Sequence, residues 1–253
     1  MMYSVRKNSK AHGNTNVNIL LVNIVVTAIL VWQFGANYFI IFCTSGLVHL
    51  LIETGLALSG TRKGVVYVRG RKLPRWADVA LRAFVEGPAF CVPAFFVADR
   101  FMDGDFVFGI MGPVIVVGLA SLYMGLADKR DLRQLEAGEV HLASRRAMTR
   151  PAAVMLLSLV NTICIVALFL IPSHYRTHAL IYVGAYSVLV MFFYFINYNL
   201  GVRMVEIYDP ERKEYTQPGP LFQAAGLAYD SLYEMGLLIS PAYWVAFYFG
   251  LFH

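Results

Sequence analysis

His49 and Glu53 stand four residues apart in Gly46-Leu-Val-His49-Leu-Leu-Ile-Glu53-Thr-Gly55, a run that is otherwise apolar. On a helix that spacing puts both side chains on one face, one turn apart. A carboxyl group and an imidazole held together away from water can pass a proton between them near neutral pH, one as acid and the other as base. Ionisable groups at membrane depth are costly and mark function by default. The chemistry to expect here is therefore proton transfer.

A second group of residues points to the same place. In Leu81-Arg82-Ala-Phe-Val-Glu86-Gly-Pro88, Glu86 and Arg82 are again four apart. If the two stretches are antiparallel neighbours, counting at 1.5 Å per residue brings Glu86 to about the depth of His49, and Arg82 to that of Glu53. The expectation is a His49–Glu86 contact, with an Arg82–Glu53 ion pair one turn nearer the helix end. Near the C-terminus, Tyr229-Asp230-Ser-Leu-Tyr233-Glu234 repeats the four-residue spacing, and Asp230 is expected near mid-membrane as a further acid. Arg82, Asn197, Tyr229, Tyr233 and Glu234 are the expected substrate-binding groups. Tyr194, Asn161 and Asn199 add polar side chains to the bundle interior.

The elements that must position these residues follow from composition. Of 253 residues 58% are hydrophobic and 15% charged, and the mean hydropathy is +0.59. The apolar residues come in blocks of about twenty, the length of a membrane-crossing helix. The expected fold is all-α, a polytopic transmembrane bundle with spans near 17–34, 38–59, 77–98, 106–126, 152–171, 178–200 and 220–250. Residues 1–16 read as a basic cytoplasmic tail and 17–253 as a single helical domain. The cytoplasmic connections are 60–76, 127–151 and 201–219, the second offering a short amphipathic surface helix or a solvated loop.

Eighteen of the 21 Lys and Arg residues fall in the tail and these connections. The positive-inside rule then places the N-terminus in the cytoplasm and the C-terminus outside. The same rule accounts for the net charge of +5 without a nucleic-acid partner. Pro241 lies within the last span, where the helix either kinks and continues or stops. Cys43, Cys91 and Cys164 lie in apolar segments at unrelated spacings and read as packing residues. A lone intramembrane His with scattered carboxylates falls short of a zinc or di-iron ligand set, and no cofactor or metal is expected.

Leu47-Val-His49-Leu-Leu-Ile-Glu53 resembles the second span of the emopamil-binding protein (EXPERA) family, which includes sterol Δ8–Δ7 isomerases. Val85-Glu86-Gly-Pro88-Ala-Phe-Cys-Val-Pro93 is similar to the element that follows it there. The resemblance covers residues 17–98 and carries over His49, Glu53 and Glu86. The chain departs from the family in its seven expected spans, against five, and in Ala89, where the family has a threonine. The resemblance implies alkene isomerisation: an acid protonates a double bond of a lipophilic isoprenoid or sterol-like substrate, and a base takes a proton from a neighbouring carbon.

Two other readings stay open. A membrane-embedded terpene cyclase would share the chemistry and use Glu53 with Asp230. A lipid-binding protein or proton-coupled transporter would use the same groups without catalysis. The expected partners are a substrate entering from the bilayer, membrane lipids and, as one option, a second copy of the chain. The expected residence is the endoplasmic reticulum membrane or a bacterial inner membrane.

Overall fold

The apolar blocks become long helices in the computed structural model, which describes residues 2–8, 12–58, 66–134, 142–148, 155, 159, 162–163 and 165–252; within these, the side chains of 8, 12, 56, 131–147 and 233–240 are left aside. In chain order the elements are β1 (Met2–Asn8), α1 (His12–Phe34), α2 (Asn37–Leu58), β2 (Tyr67–Val68) and β3 (Arg71–Lys72). They continue with α3 (Arg75–Met102), α4 (Phe106–Gln134) and β4 (Leu142–Ala147). After this come α5 (Ser173–Asn199), β5 (Arg203–Asp209), β6 (Glu214–Thr216) and α6 (Pro220–Tyr248).

Among the described residues, five helices are long and apolar enough to cross a membrane: Gly13–Phe34, Asn37–Gly55, Arg75–Met102, Phe106–Arg130 and Ser173–Asn199. The expected span 152–171, with Asn161, lies largely outside the described residues. The last helix runs unbroken through Pro241 to Tyr248. Proline inside a long apolar helix is tolerated where neighbouring helices re-satisfy the freed carbonyl. α3 does the same at Pro88 and Pro93.

The all-α expectation needs correction at one end of the bundle. The basic tail is a strand, and the connection at 127–151 contributes another. β1 lies at the centre of a four-stranded antiparallel sheet of order β4-β1-β5-β6, with Arg6 opposite both Ser144 and Arg203. β1 is tied to the helices by its side chains, since Val5 is fully buried and the Ser4 hydroxyl donates to Asp230 at 2.7 Å.

This sheet marks one end of the bundle, where α2, α4 and α5 finish and α3 and α6 begin. The far end carries the α1–α2 and α3–α4 turns, each closed by a glycine with positive φ, Gly35 at 104° and Gly104 at 80°. There the chain's C-terminal residues fold back. Phe252 stacks on Tyr175 with ring centroids 4.7 Å apart, and its N–H donates to Asn37.

α2 and α3 pack in close contact at Gly87. A β-carbon on Gly87 would lie 2.7 Å from the Ser45 carbonyl oxygen and 3.3 Å from the His49 β-carbon. Only glycine permits this crossing, and it sits between the expected site residues of both helices.

Candidate functional site

The α2–α3 crossing brings His49 to Glu86. The His49 Nε2 is 3.4 Å from a Glu86 carboxylate oxygen and 3.8 Å from Glu53. His49 and Glu53 are buried, and the Glu86 side chain keeps 21% of its exposure. This contact between His49 and Glu86 is the one expected from matching depths along antiparallel helices.

Arg82 behaves differently. Its Nε donates to Asp78 at 2.8 Å, one turn earlier on α3, so it pairs with Asp78 and not with Glu53. An i,i+4 partner on the same helix needs no second element to be placed, and here it wins. The cation beside Glu86 comes instead from the sheet: a terminal Arg6 nitrogen stands 3.7 Å from its carboxylate. Burial, reinforced by Arg203, lowers the Arg6 guanidinium to about 10, which leaves it charged at neutral pH. With a proton on His49, the four groups Arg6, His49, Glu53 and Glu86 sum to zero charge.

Asp230 is fully buried, and three donors converge on its Oδ2. Arg203 donates to it at 3.1 Å, Ser4 at 2.7 Å and Tyr198 at 3.1 Å. Arg203 in turn lies over the Tyr194 ring at 4.5 Å. Asp230 therefore fastens β1, β5, α5 and α6 together. Asn197 is buried and Asn199 exposed; their side-chain amides donate to Phe193 and Phe195 on their own helix. Tyr229 is half-buried, and the Tyr233 and Glu234 side chains lie outside the described residues.

A cavity with about 920 Å³ of empty space, open mouth included, lies beside Glu86. Its walls come from α1, α3, α4 and α5 and are largely apolar, including Val85, Phe90, Val117 and Phe193. Its polar lining includes Arg6, Glu86, Tyr194 and Arg203. Among the lining residues Glu86 is the one carboxylate, and His49 and Glu53 stand behind it. Concave, apolar spaces with a few convergent polar groups are the usual form of a small-molecule site.

The three donors His49, Glu53 and Glu86 have ligand atoms within 4.8 Å of one another. The carboxylates are thus not scattered, as expected from sequence, but gathered on one imidazole. They could hold a divalent cation through three protein ligands. The charged Arg6 guanidinium beside Glu86 opposes a second cation there.

A second polar cluster sits at the far end, where sequence reasoning had missed it. His178, on α5, was not among the deep histidines expected. One of its ring nitrogens is 2.9 Å from Asp99 of α3, and the other is 2.9 Å from the Tyr243 hydroxyl of α6. The Tyr38 hydroxyl of α2 donates to the same Asp99 at 2.6 Å. Four helices meet in these four side chains. No short spacing announces them, because the partners are 61 to 79 residues apart in the chain. Compared with protein-family models, with curated proteins and with solved structures, the chain matches none of them.

Proposed function

We propose that this protein is a multi-pass membrane enzyme that moves a proton on a lipophilic alkene, with Glu86 as the group that touches the substrate. The observation that carries this reading is the position of Glu86, which faces the apolar cavity on one side and the buried His49–Glu53 pair on the other. The remaining expected spans, near 152–171 and 220–250, belong to the same proposal, with the sheet end and its basic residues in the cytoplasm.

The reaction follows from the geometry. Glu86 gives its proton to one alkene carbon, and the π electrons form the new C–H bond, leaving a cation on the neighbouring carbon. Phe90, Phe193 and Tyr194 line the same cavity, and their ring faces stabilise positive charge. The Glu86 carboxylate then takes a proton from the carbon on the far side of the cation, and that C–H pair becomes the shifted double bond. Glu86 thus ends the cycle protonated as it began, and His49 and Glu53 behind it act through it as positioning residues. Arg6 keeps the carboxylate form of Glu86 available for the second step.

The resemblance of residues 47–53 and 85–93 to the emopamil-binding family supports an isomerase over a cyclase. The cyclase reading needs Asp230 as a free acid, and Arg203, Ser4 and Tyr198 all donate to its Oδ2, which favours the ionised carboxylate.

The test is deuterium incorporation. Purified protein is incubated in D2O with total neutral lipid from its native membrane, and label in carbon-bound positions is read by mass spectrometry. Label should enter one lipid class with the wild type and not with Glu86→Gln. Equal labelling by both proteins would overturn the assignment.

A further inference from the structure

Past Glu86, away from the sheet, the cavity holds two polar groups that the proton-transfer scheme does not use. The first is the Thr27 hydroxyl of α1. Thr27 lines the cavity and is 5% exposed, and its hydroxyl has no hydrogen-bond partner among the described residues. Other hydroxyls in the bundle behave differently. Those of Thr44, Ser45, Ser121, Ser187 and Ser231 each donate to a carbonyl three or four residues back on their own helix. A buried hydroxyl without a partner costs free energy, so its place beside an apolar cavity points to a partner supplied by the occupant.

The second is the Ala89 carbonyl of α3. Pro93 has no N–H, so the carbonyl four residues before it receives no intrahelical hydrogen bond. Ala89 and Pro93 both line the same cavity. The two groups stand at one level. α1 and α3 both run away from the sheet, and the Asn23 side-chain amide donates to the Val85 carbonyl at 3.1 Å. Four residues further along each helix, about 6 Å, come Thr27 and Ala89. Glu86 lies about one turn back toward the sheet.

The Thr27 hydroxyl can donate or accept, whereas the Ala89 carbonyl only accepts. A hydroxyl group between them satisfies both, accepting from Thr27 and donating to Ala89. A ketone, ester or ether would leave the carbonyl without a donor. An ammonium group is opposed by the Arg6 and Arg203 guanidiniums, which line the same cavity. We propose that Thr27 and the Ala89 carbonyl bind an alcohol oxygen of the substrate. The lipid on which Glu86 acts is then an unsaturated alcohol, with its oxygen about one helical turn from the reacting alkene. This rests on the reading of Glu86 as the proton donor and names the class of its substrate. Thr27 is a positioning residue: it sets which double bond faces Glu86 and leaves the alcohol group unchanged.

The experiment uses the purified full chain and total neutral lipid from its native membrane, half of it acetylated beforehand so that every alcohol becomes an ester. In D2O the wild type should label the untreated lipid, and the labelled product should gain an acetyl group when treated afterwards. The acetylated half should stay unlabelled. Thr27→Val keeps the shape and removes the hydroxyl. It should melt no lower than the wild type, since no internal bond is lost. It should need about tenfold more lipid for half-maximal labelling, with the maximal rate little changed. Thr27→Ser should label like the wild type. A labelled product without a hydroxyl, equal labelling of acetylated lipid, an early-melting Thr27→Val, or a Thr27→Val that labels like the wild type at low lipid overturns the proposal.

Binding separates this from the reading of Glu86. Glu86→Gln protein is equilibrated with the same two lipid pools, and the retained lipid is identified by mass spectrometry. It should hold alcohols and not their acetates, and adding Thr27→Val should abolish that preference. That result together with labelling indifferent to Glu86 would keep the alcohol site and sink the proton donor. Glu86-dependent labelling of a lipid that has no hydroxyl would do the reverse.

Discussion

Replacing Gly87 by alanine tests the α2–α3 crossing on which the site depends. The added β-carbon would meet the Ser45 carbonyl oxygen at 2.7 Å, the Ser45 carbonyl carbon at 3.1 Å and the His49 β-carbon at 3.3 Å. Ordinary contact begins at 3.4 Å, so α2 must retreat by 3.4 − 2.7 = 0.7 Å. None of the three atoms is the end of a flexible side chain, so no rotamer change relieves the clash. Overpacking of this kind costs about 1–3 kcal/mol. The same retreat would stretch the 3.4 Å His49–Glu86 contact to about 4 Å, and misplacement on the scale of an ångström costs up to about 100-fold in rate. Thermal unfolding in detergent and deuterium labelling would be measured together, with Gly55→Ala as control. Gly55 lies on α2 with nothing within 4 Å of an added β-carbon, so that change should stabilise by about 1 kcal/mol and leave labelling intact. A Gly87→Ala protein that melts and labels like the wild type would refute the packing argument. One that melts early but labels normally would show that the reaction does not use the His49–Glu86 contact.

Other substitutions probe the supports of the site. Arg203→Met leaves the Asp230 carboxylate buried without its cation and should cost about 3–5 kcal/mol, read as a lowered Tm. Adding Asp230→Asn removes the orphaned charge, and the double variant should recover a large part of that loss; no recovery would argue that the pair is not coupled. Tyr38→Phe removes a 2.6 Å hydrogen bond to Asp99 and should lower stability by about 1.5–3 kcal/mol, since the acceptor is charged, while labelling at Glu86 is unchanged. Arg6→Met should leave the bundle folded and slow labelling, because Glu86 loses the cation that favours its carboxylate form; a rate equal to wild type would remove Arg6 from the scheme.

What the sequence made legible was what lies along single helices and between adjacent antiparallel ones. His49, Glu53 and Glu86 could be brought together by counting residues from the helix ends, because spans of fixed rise share a common depth scale. The same counting put Arg82 opposite Glu53 and was misled, since Asp78 competes for Arg82 from one turn away. Arg6 and Arg203 could not be placed by depth at all. They reach the site on strands of seven residues each, and Ser4-Val5-Arg6 has no clean alternation, because side chains on both of its faces are buried. The far-end cluster was hidden for another reason: Asp99, His178 and Tyr243 sit near helix ends, where a polar residue usually means solvent. Their meeting depends on how α3, α5 and α6 pack.

Placing β1 at the centre of the sheet has a consequence for how the molecule comes into being. The strand that carries Arg6 and Ser4 is made before its partners β4 and β5 and before Asp230, and the Ser4–Asp230 bond joins residues 226 apart in the chain. The helices between them can form while this segment waits unpaired. Glu86 receives its cation only once β1 has been held by β4 and β5. A partly made or truncated protein would thus hold His49, Glu53 and Glu86 without Arg6, and final closure of the sheet acts as the step that arms the site.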